Sequence, residues 1–277
     1  GRMSLSWPLS VLPGAAAYAR GAAVPVRDAG HGYDAFGMSA RGVALNAAAL
    51  APVYHHYFRV QSRGVEHVPQ HGAAILAANH SGTLPFDGFM IWEDVVLQRS
   101  RAPRVVADYF VPGLPFVSTI YARAGVVGGS RGNVRALLEQ GELVLLFPEG
   151  VAGVGKPFSE RYHLQEWHPG HAELAIRYRA PVVPVAVVGA EEQMPQLGRS
   201  RLLGRLVGAP YVPVSFTPLP LPVRYHLLYG PPLLLHEGHA PEEADLPEVA
   251  HAAAQRVRAA VEALMAQGLA ARRGVFR

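Results

Sequence analysis

The sequence predicts an α/β fold: a single, largely parallel sheet flanked by helices, with an N-terminal helical arm. Three observations predict it. From residue 60 onward, short apolar runs alternate with helical patterns, the rhythm of one sheet with helices on its faces. The runs at 73–78 and 182–188 are continuously apolar, as strands buried on both faces are. No internal repeat or linker divides the 277 residues, and half of them are hydrophobic, enough for one large core.

Residues 3–38 are small, Gly-rich and weakly patterned, and read as a loose arm. Val43, Ala47, Leu50, Tyr54, Tyr57 and Phe58 then fall on one helical face, with a kink expected at Pro52. That helix either packs on the core or lies on a membrane. Its polar face lacks the cations the second reading wants. The division is therefore an arm and amphipathic helix over 1–58 and an α/β domain over 59–277.

Within that domain, strand 73–78 ends in Asn79-His80, and a helix over 88–98 has Asp87 as its N-cap. A strand at 104–107 follows, then a helix at 133–140 stopped by Gly141. Next come a strand at 143–147, a helix at 172–179, a β-branched strand at 182–188 and a strand at 224–228. In the last helix Asp245 and Glu248 fit a capping box, with Pro247 in the first turn. Leu246, Val249, Ala253, Val257, Ala260 and Leu264 form its stripe, and Gly268 ends it.

Cysteine is absent, which excludes disulfides, thiolate metal sites and a thiol nucleophile. The net charge is +4 and the pI about 9.5. Lys156 is the only lysine, so the positive charge is arginine, suited to phosphates, carboxylates and anionic headgroups. No arginine block is interleaved with aromatics, so no nucleic-acid partner is expected. Gly1-Arg2 reads as an expression scar ahead of a native Met3, and the first residues are not expected to form a signal peptide. The longest uncharged stretch, 206–223, holds five prolines and is no membrane-spanning helix. Its apolar patch, with Tyr211 and Phe216, either wraps the core or docks at a membrane surface, and docking is the expectation.

Three constellations carry chemistry. In Asn79-His80-Ser81-Gly82-Thr83-Leu84-Pro85-Phe86-Asp87, a histidine stands at a strand's carboxyl end, where α/β sheets place ligands. An acid at the next helix start can fold back to fix its tautomer and stabilise its imidazolium. The plainer reading is a helix-capping aspartate beside a polar strand end. Phe147-Pro148-Glu149-Gly150 puts a carboxylate and a flexible amide at another strand end, where Glu149 suits acceptor hydroxyls; alternatively it is an ordinary turn. Gly125-Val126-Val127-Gly128-Gly129-Ser130-Arg131 precedes a helix, an arrangement that suits an anion clamped by Arg131.

Together with Val183-Pro184-Val185, these blocks resemble, in order, the four motifs of the PlsC-like glycerophospholipid acyltransferases over residues 58–230. The resemblance implies that His80, paired with Asp87, deprotonates an acceptor hydroxyl. The freed oxygen would attack an acyl-CoA or acyl carrier protein thioester, which serves as co-substrate with no cofactor. It also implies that Glu149 and Gly150 bind a lipid acceptor, that Arg131 holds its phosphate, and that the protein is monotopic on the cytoplasmic face of a membrane. The chain departs from the pattern in three places. Six residues separate His80 from Asp87 where the family commonly has four. Gly128-Gly129-Ser130 replaces the usual aromatic-aliphatic-Asp, and Val151-Ala152 replaces Thr-Arg, leaving Lys156 or Arg161 to supply that charge. The acceptor the resemblance implies is thus a lysophospholipid or a related lipid, not necessarily lysophosphatidate.

Three rival readings remain. Gly128-Gly129-Ser130-Arg131-Gly132 matches the nucleophile elbow of a serine hydrolase, with Asp245 and His251 following in order. His163, His168 and His171 cluster with Glu160, Glu166 and Glu173, at spacings that match no zinc signature. A non-catalytic, lipid-binding membrane protein would keep the fold and lose the chemistry.

Overall fold

The computed structural model describes residues 13–80, 84–108, 116–200, 202, 204, 205 and 212–277. Helix α1 (Pro13–Ala22) and helix α2 (Ala40–Pro52) come first, with a π-helical turn over Val53–Tyr57. The strands are β1 (Gln61–Arg63), β2 (Ala74–Ala78), β3 (Arg104–Ala107), β4 (Val127–Gly128), β5 (Leu143–Leu146) and β6 (Val182–Val188). Between them run α3 (Phe86–Arg99), α4 (Val117–Ala124), α5 (Arg131–Glu139), α6 (Gly150–Val154) and α7 (Gly170–Arg177). The short α8 (Ala190–Gln193) leads to β7 (Gln196–Ser200), β8 (Val212–Ser215), β9 (His226–Tyr229) and α9 (Pro247–Ala271).

Seven strands form one sheet in the order β1-β9-β6-β2-β5-β3-β4. The five from β6 to β4 are parallel; β9 runs antiparallel to β6 and carries β1 parallel to itself. Strands β7 and β8 form a separate antiparallel ribbon. Successive residues of a strand face opposite sides, and β2 shows why its run is apolar throughout. Ile75 and Ala77 enter the core under α5, α7 and α9. Ala74, Leu76 and Ala78 enter the core under α3. Burying each large side chain of this kind stabilises the fold by about 1.5–3 kcal/mol.

The structure differs from the sequence reading at four points in these elements. The arm is not loose over its described length: α1 packs on α2, and Ala17, Ala47 and Ala51 share a buried cluster. Small alanines give weak hydrophobic amplitude yet allow helices to approach closely. The Pro52 kink is a π-helical turn, closed by Phe58 N–H donating to the Val53 carbonyl at 2.8 Å. That turn buries Tyr54 and Phe58 in the core, leaving Tyr57 exposed. In the last helix the N-cap is Leu246, without a capping side chain, and Asp245 pairs with Arg177. Gly268 does not end α9. It lies buried inside it, where a Cβ would come within 2.9 Å of Leu228 Cδ1 and 3.0 Å of Val188 Cγ2. The glycine is there for close packing of helix on sheet. The buried stripe is accordingly Ala250, Ala253, Ala254, Val257, Val261 and Met265.

Candidate active site

Strand β2 lies between β5 and β6, both parallel to it. The three carboxyl ends therefore emerge side by side. Asn79 extends the pairing past the strand: its Nδ2 donates to the Val187 carbonyl at 3.0 Å and its Oδ1 accepts from Val187 N–H at 2.7 Å. His80 follows at the open edge.

The His80 and Asp87 side chains meet, with Nδ1 2.7 Å from Asp87 Oδ2. A carboxylate only accepts hydrogen bonds, so the imidazole proton sits on Nδ1 and the Nε2 lone pair is left to take another. Asp87 is not the N-cap expected of it. Helix α3 begins at Phe86, so Asp87 stands in the first turn, where its Oδ1 accepts from Gly88 N–H at 2.7 Å. The positive end of the helix favours its negative charge. Asp87 is buried, while the His80 side chain keeps 17% of its exposure. Phe147 stacks on the imidazole, with centroids 4.2 Å apart. The six-residue connection reaches because Pro85 turns it and Gln193 Nε2 donates to the Leu84 carbonyl at 3.3 Å. Gln193 is held in turn by the Tyr225 hydroxyl at 2.7 Å. Ser81, Gly82 and Thr83 lie outside the described residues.

Glu149 comes to His80, but not as a carboxylate open to an acceptor. It is buried. Its Oε1 accepts from His80 N–H at 3.1 Å and its Oε2 from Gln165 N–H at 2.8 Å. Gly150 opens α6 with a φ of 54°. Lys156 does not supply a free charge in place of the missing Thr-Arg. Its ammonium lies buried between Glu149 and Glu191. Arg161 stacks on Phe158. Sequence reasoning missed Glu191, because nothing local marks a residue brought in from beyond β6. The signal it had was a single lysine in an arginine-rich chain.

The first glycine of the Gly-rich block serves the frame. Gly125 caps α4 at a φ of 100°, where a Cβ would meet Met38 Sδ at 2.7 Å. Arg131 begins α5 at the end of edge strand β4. Its side chain is 83% exposed and pairs with Glu173 at 3.0 Å. Beside it a cleft of about 370 Å³ is lined by Phe36, Thr119, Tyr121, Arg123, Gly128 and Asn133, among others.

The serine-hydrolase grouping does not assemble. The Ser130 hydroxyl caps α5, accepting from Asn133 N–H at 3.1 Å. Asp245 pairs with Arg177, and His251 Nδ1 bonds the Pro247 carbonyl. In the histidine cluster, His171 is buried with Nδ1 donating to the His168 carbonyl at 2.9 Å. Among the described residues, no three imidazoles or carboxylates converge as metal ligands would.

This geometry can be set beside known proteins. A family model described as Acyltransferase matches residues 59–188. An uncharacterized protein of Mycobacterium tuberculosis is 36% identical over 249 residues, covering 84% of this chain and 69% of its own length. The chain belongs to the acyltransferase family. Its fold is also that of the 1-acyl-sn-glycerophosphate acyltransferase PlsC from Thermotoga maritima. That match has a TM-score of 0.50 and 18% identity, covering 78% of this chain and 73% of that one. The human "DGAT1/2-independent enzyme synthesizing storage lipids" is 29% identical over 153 residues, which span 55% of this chain and 46% of that protein. His80, Phe147 and Glu149 all lie within the family match, as does β6.

Proposed function

We propose that this acyltransferase moves a fatty acyl group from a thioester, acyl-CoA or acyl carrier protein, to a hydroxyl of a lipid acceptor. The observation that carries the reading is the 2.7 Å contact of His80 Nδ1 with buried Asp87, beside a ring that keeps part of its exposure. His80 Nε2 takes the acceptor's hydroxyl proton, and Asp87 stabilises the imidazolium. The freed oxygen attacks the thioester carbonyl carbon. A C–O bond forms, the C–S bond breaks, and the imidazolium returns its proton to the departing thiolate. Glu149 serves by holding His80, and Arg131 with Gly150 meets the acceptor's polar head. The relatives named for storage-lipid synthesis support a neutral glyceride among the acceptors. PlsC supports a lysophospholipid.

A peripheral place on the cytoplasmic face of the membrane completes the reading. No described helix is long and apolar enough to cross a membrane. Exposed apolar side chains stand in the connections leaving the carboxyl ends of β2, β3 and β6: Leu84, Phe116, Ile120, Leu197, Phe216 and Leu219. Phe216, 73% exposed, follows β8 of the ribbon; residues 206–211 of the proline-rich stretch lie outside the described ones. An apolar rim of this kind marks a binding surface. Phe216→Asp is expected to reduce flotation with liposomes, and unchanged flotation would remove the ribbon from the contact.

The deciding experiment gives the purified protein labelled acyl-CoA or acyl carrier protein, with a panel of lysophospholipids, monoacylglycerols and diacylglycerols. Wild type forms labelled lipid and releases free thiol, and His80→Ala does not. Release of thiol without an acylated lipid would point to hydrolysis, and no reaction at all to a lipid-binding protein.

A further inference from the structure

The one lysine of this chain is in an unusual place for a lysine. Ammonium groups on flexible stems ordinarily stay in water, and a buried one needs partners for its charge and its protons. The Lys156 side chain is 2% exposed. Its Nζ donates to Glu191 Oε1 at 3.0 Å and to the His163 carbonyl at 3.2 Å, and stands 3.5 Å from Glu149 Oε2.

Those two carboxylates belong to the strands on either side of β2. Glu149 follows β5, and Glu191 lies in α8, directly after β6. Each spends its other contacts on main chain around the site. Glu149 Oε1 holds His80 N–H and Glu191 Oε2 accepts from Tyr162 N–H at 2.9 Å. Burial raises the proton affinity of Glu191, and the Lys156 charge opposes that. Without the cation, two buried carboxylates would face one another at the ends of the strands that frame His80. Leaving such charges unpaired is strongly unfavourable, so one would take a proton or turn away. If Glu149 moves, the His80 main chain loses its partner and the imidazole loses its register with the acceptor.

We propose that Lys156 is a positioning residue for acyl transfer, fixing Glu149 against the His80 main chain and so setting the imidazole, rather than binding the acceptor's phosphate. The proposal rests on the acyl-transfer reading above for its kinetic consequence. Its structural core, the coupling of Lys156 to His80, does not.

The test compares wild type, Lys156→Met, Lys156→Arg, Glu149→Gln and the Lys156→Met/Glu149→Gln pair. Each is assayed with a lysophospholipid and with a monoacylglycerol. Lys156→Met is expected to lower kcat on the order of 10²-fold, the cost of a small misplacement, with both acceptors and with little change in either KM. Lys156→Arg recovers most of the loss. The double variant is no slower than the worse single one, because both changes cut the same link. In parallel, the ring-nitrogen NMR signals of His80 shift in Lys156→Met and stay near wild type in Lys156→Arg, whether or not the protein turns over. Should Lys156→Met fail to fold, Lys156→Met/Glu191→Gln, which removes one carboxylate with the ammonium, takes its place with the same expected loss. A KM increase confined to the lysophospholipid would overturn the proposal and make Lys156 an acceptor site. Wild-type kcat, multiplying losses in the double variant, or unmoved His80 signals would also overturn it. An inactive wild type whose His80 signals still respond to Lys156 would instead count against the acyl-transfer reading alone.

Discussion

His80 and His171 are the same side chain in opposite employment. Both commit Nδ1 to an oxygen, at 2.7 Å to a carboxylate for His80 and at 2.9 Å to a carbonyl for His171. The carboxylate carries a full charge, so the His80 ring can become an imidazolium beside it. The carbonyl offers only a dipole, and the His171 ring is buried edge-on to Trp167. Burial pushes its imidazole down to about 4, so it stays neutral. A bonded Nδ1 therefore does not by itself mark a base; His80 differs from His171 in the buried carboxylate at its Nδ1 and in a ring that keeps part of its exposure.

That contrast can be broken in four ways. Removing the base comes first: His80→Ala is expected to cost on the order of 10²–10⁴ in turnover, measured with labelled acyl-thioester, and wild-type rates would sink the assignment. Asp87→Asn keeps an acceptor for Nδ1 and removes the charge. A loss on the order of 10²-fold, with the fold intact by circular dichroism, would show that the charge matters and not only the orientation.

His171 supplies the opposite test. Its folded pKa lies below the unfolded value near 6.5, so the unfolded chain binds the extra proton first. Stability contributed by the neutral ring is full above about 6.5 and is lost as pH falls towards about 4. The full effect is roughly 3 kcal/mol. His171→Leu should flatten this part of the pH dependence in urea-melt midpoints while leaving specific activity alone; an activity loss in the still-folded variant would contradict its structural role. The smallest change is Ser130→Ala, expected to lower stability by about 1 kcal/mol through the lost cap. Its turnover should be unchanged, and a dead but folded Ser130→Ala would revive the hydrolase reading.

How much of this was legible follows from distance along the chain. His80 and Asp87 could be read because a strand end, a turn and a helix start are written within a few residues. The parallel strands were equally plain, since burial on both faces leaves continuous apolar runs. The Lys156 cluster was not, because Glu191 arrives from beyond β6, 35 positions from the lysine. Glu149 was read as a ligand group for the same reason: its partners, His80 N–H and Gln165 N–H, are main-chain atoms with no signature. Gly268 was read as a helix stop because glycine serves both as a terminator and as a packing residue, and only the sheet behind it decides.

The central place of β2 also governs the order in which the molecule can be made. His80 and Asp87 are seven positions apart, whereas Glu149 lies 69 positions from His80 and Val187 lies 108 from Asn79. A ribosome releases β2 long before either neighbour exists, and the edge that pairs with β6 must wait through the synthesis of more than a hundred residues. Long-range parallel pairing is slow for the same reason. A truncated chain ending before β6 would carry the histidine and its aspartate without the strand to which Asn79 is tied, and with an open strand edge exposed to other chains. In such a chain an exposed strand edge and an incomplete candidate site would share one cause.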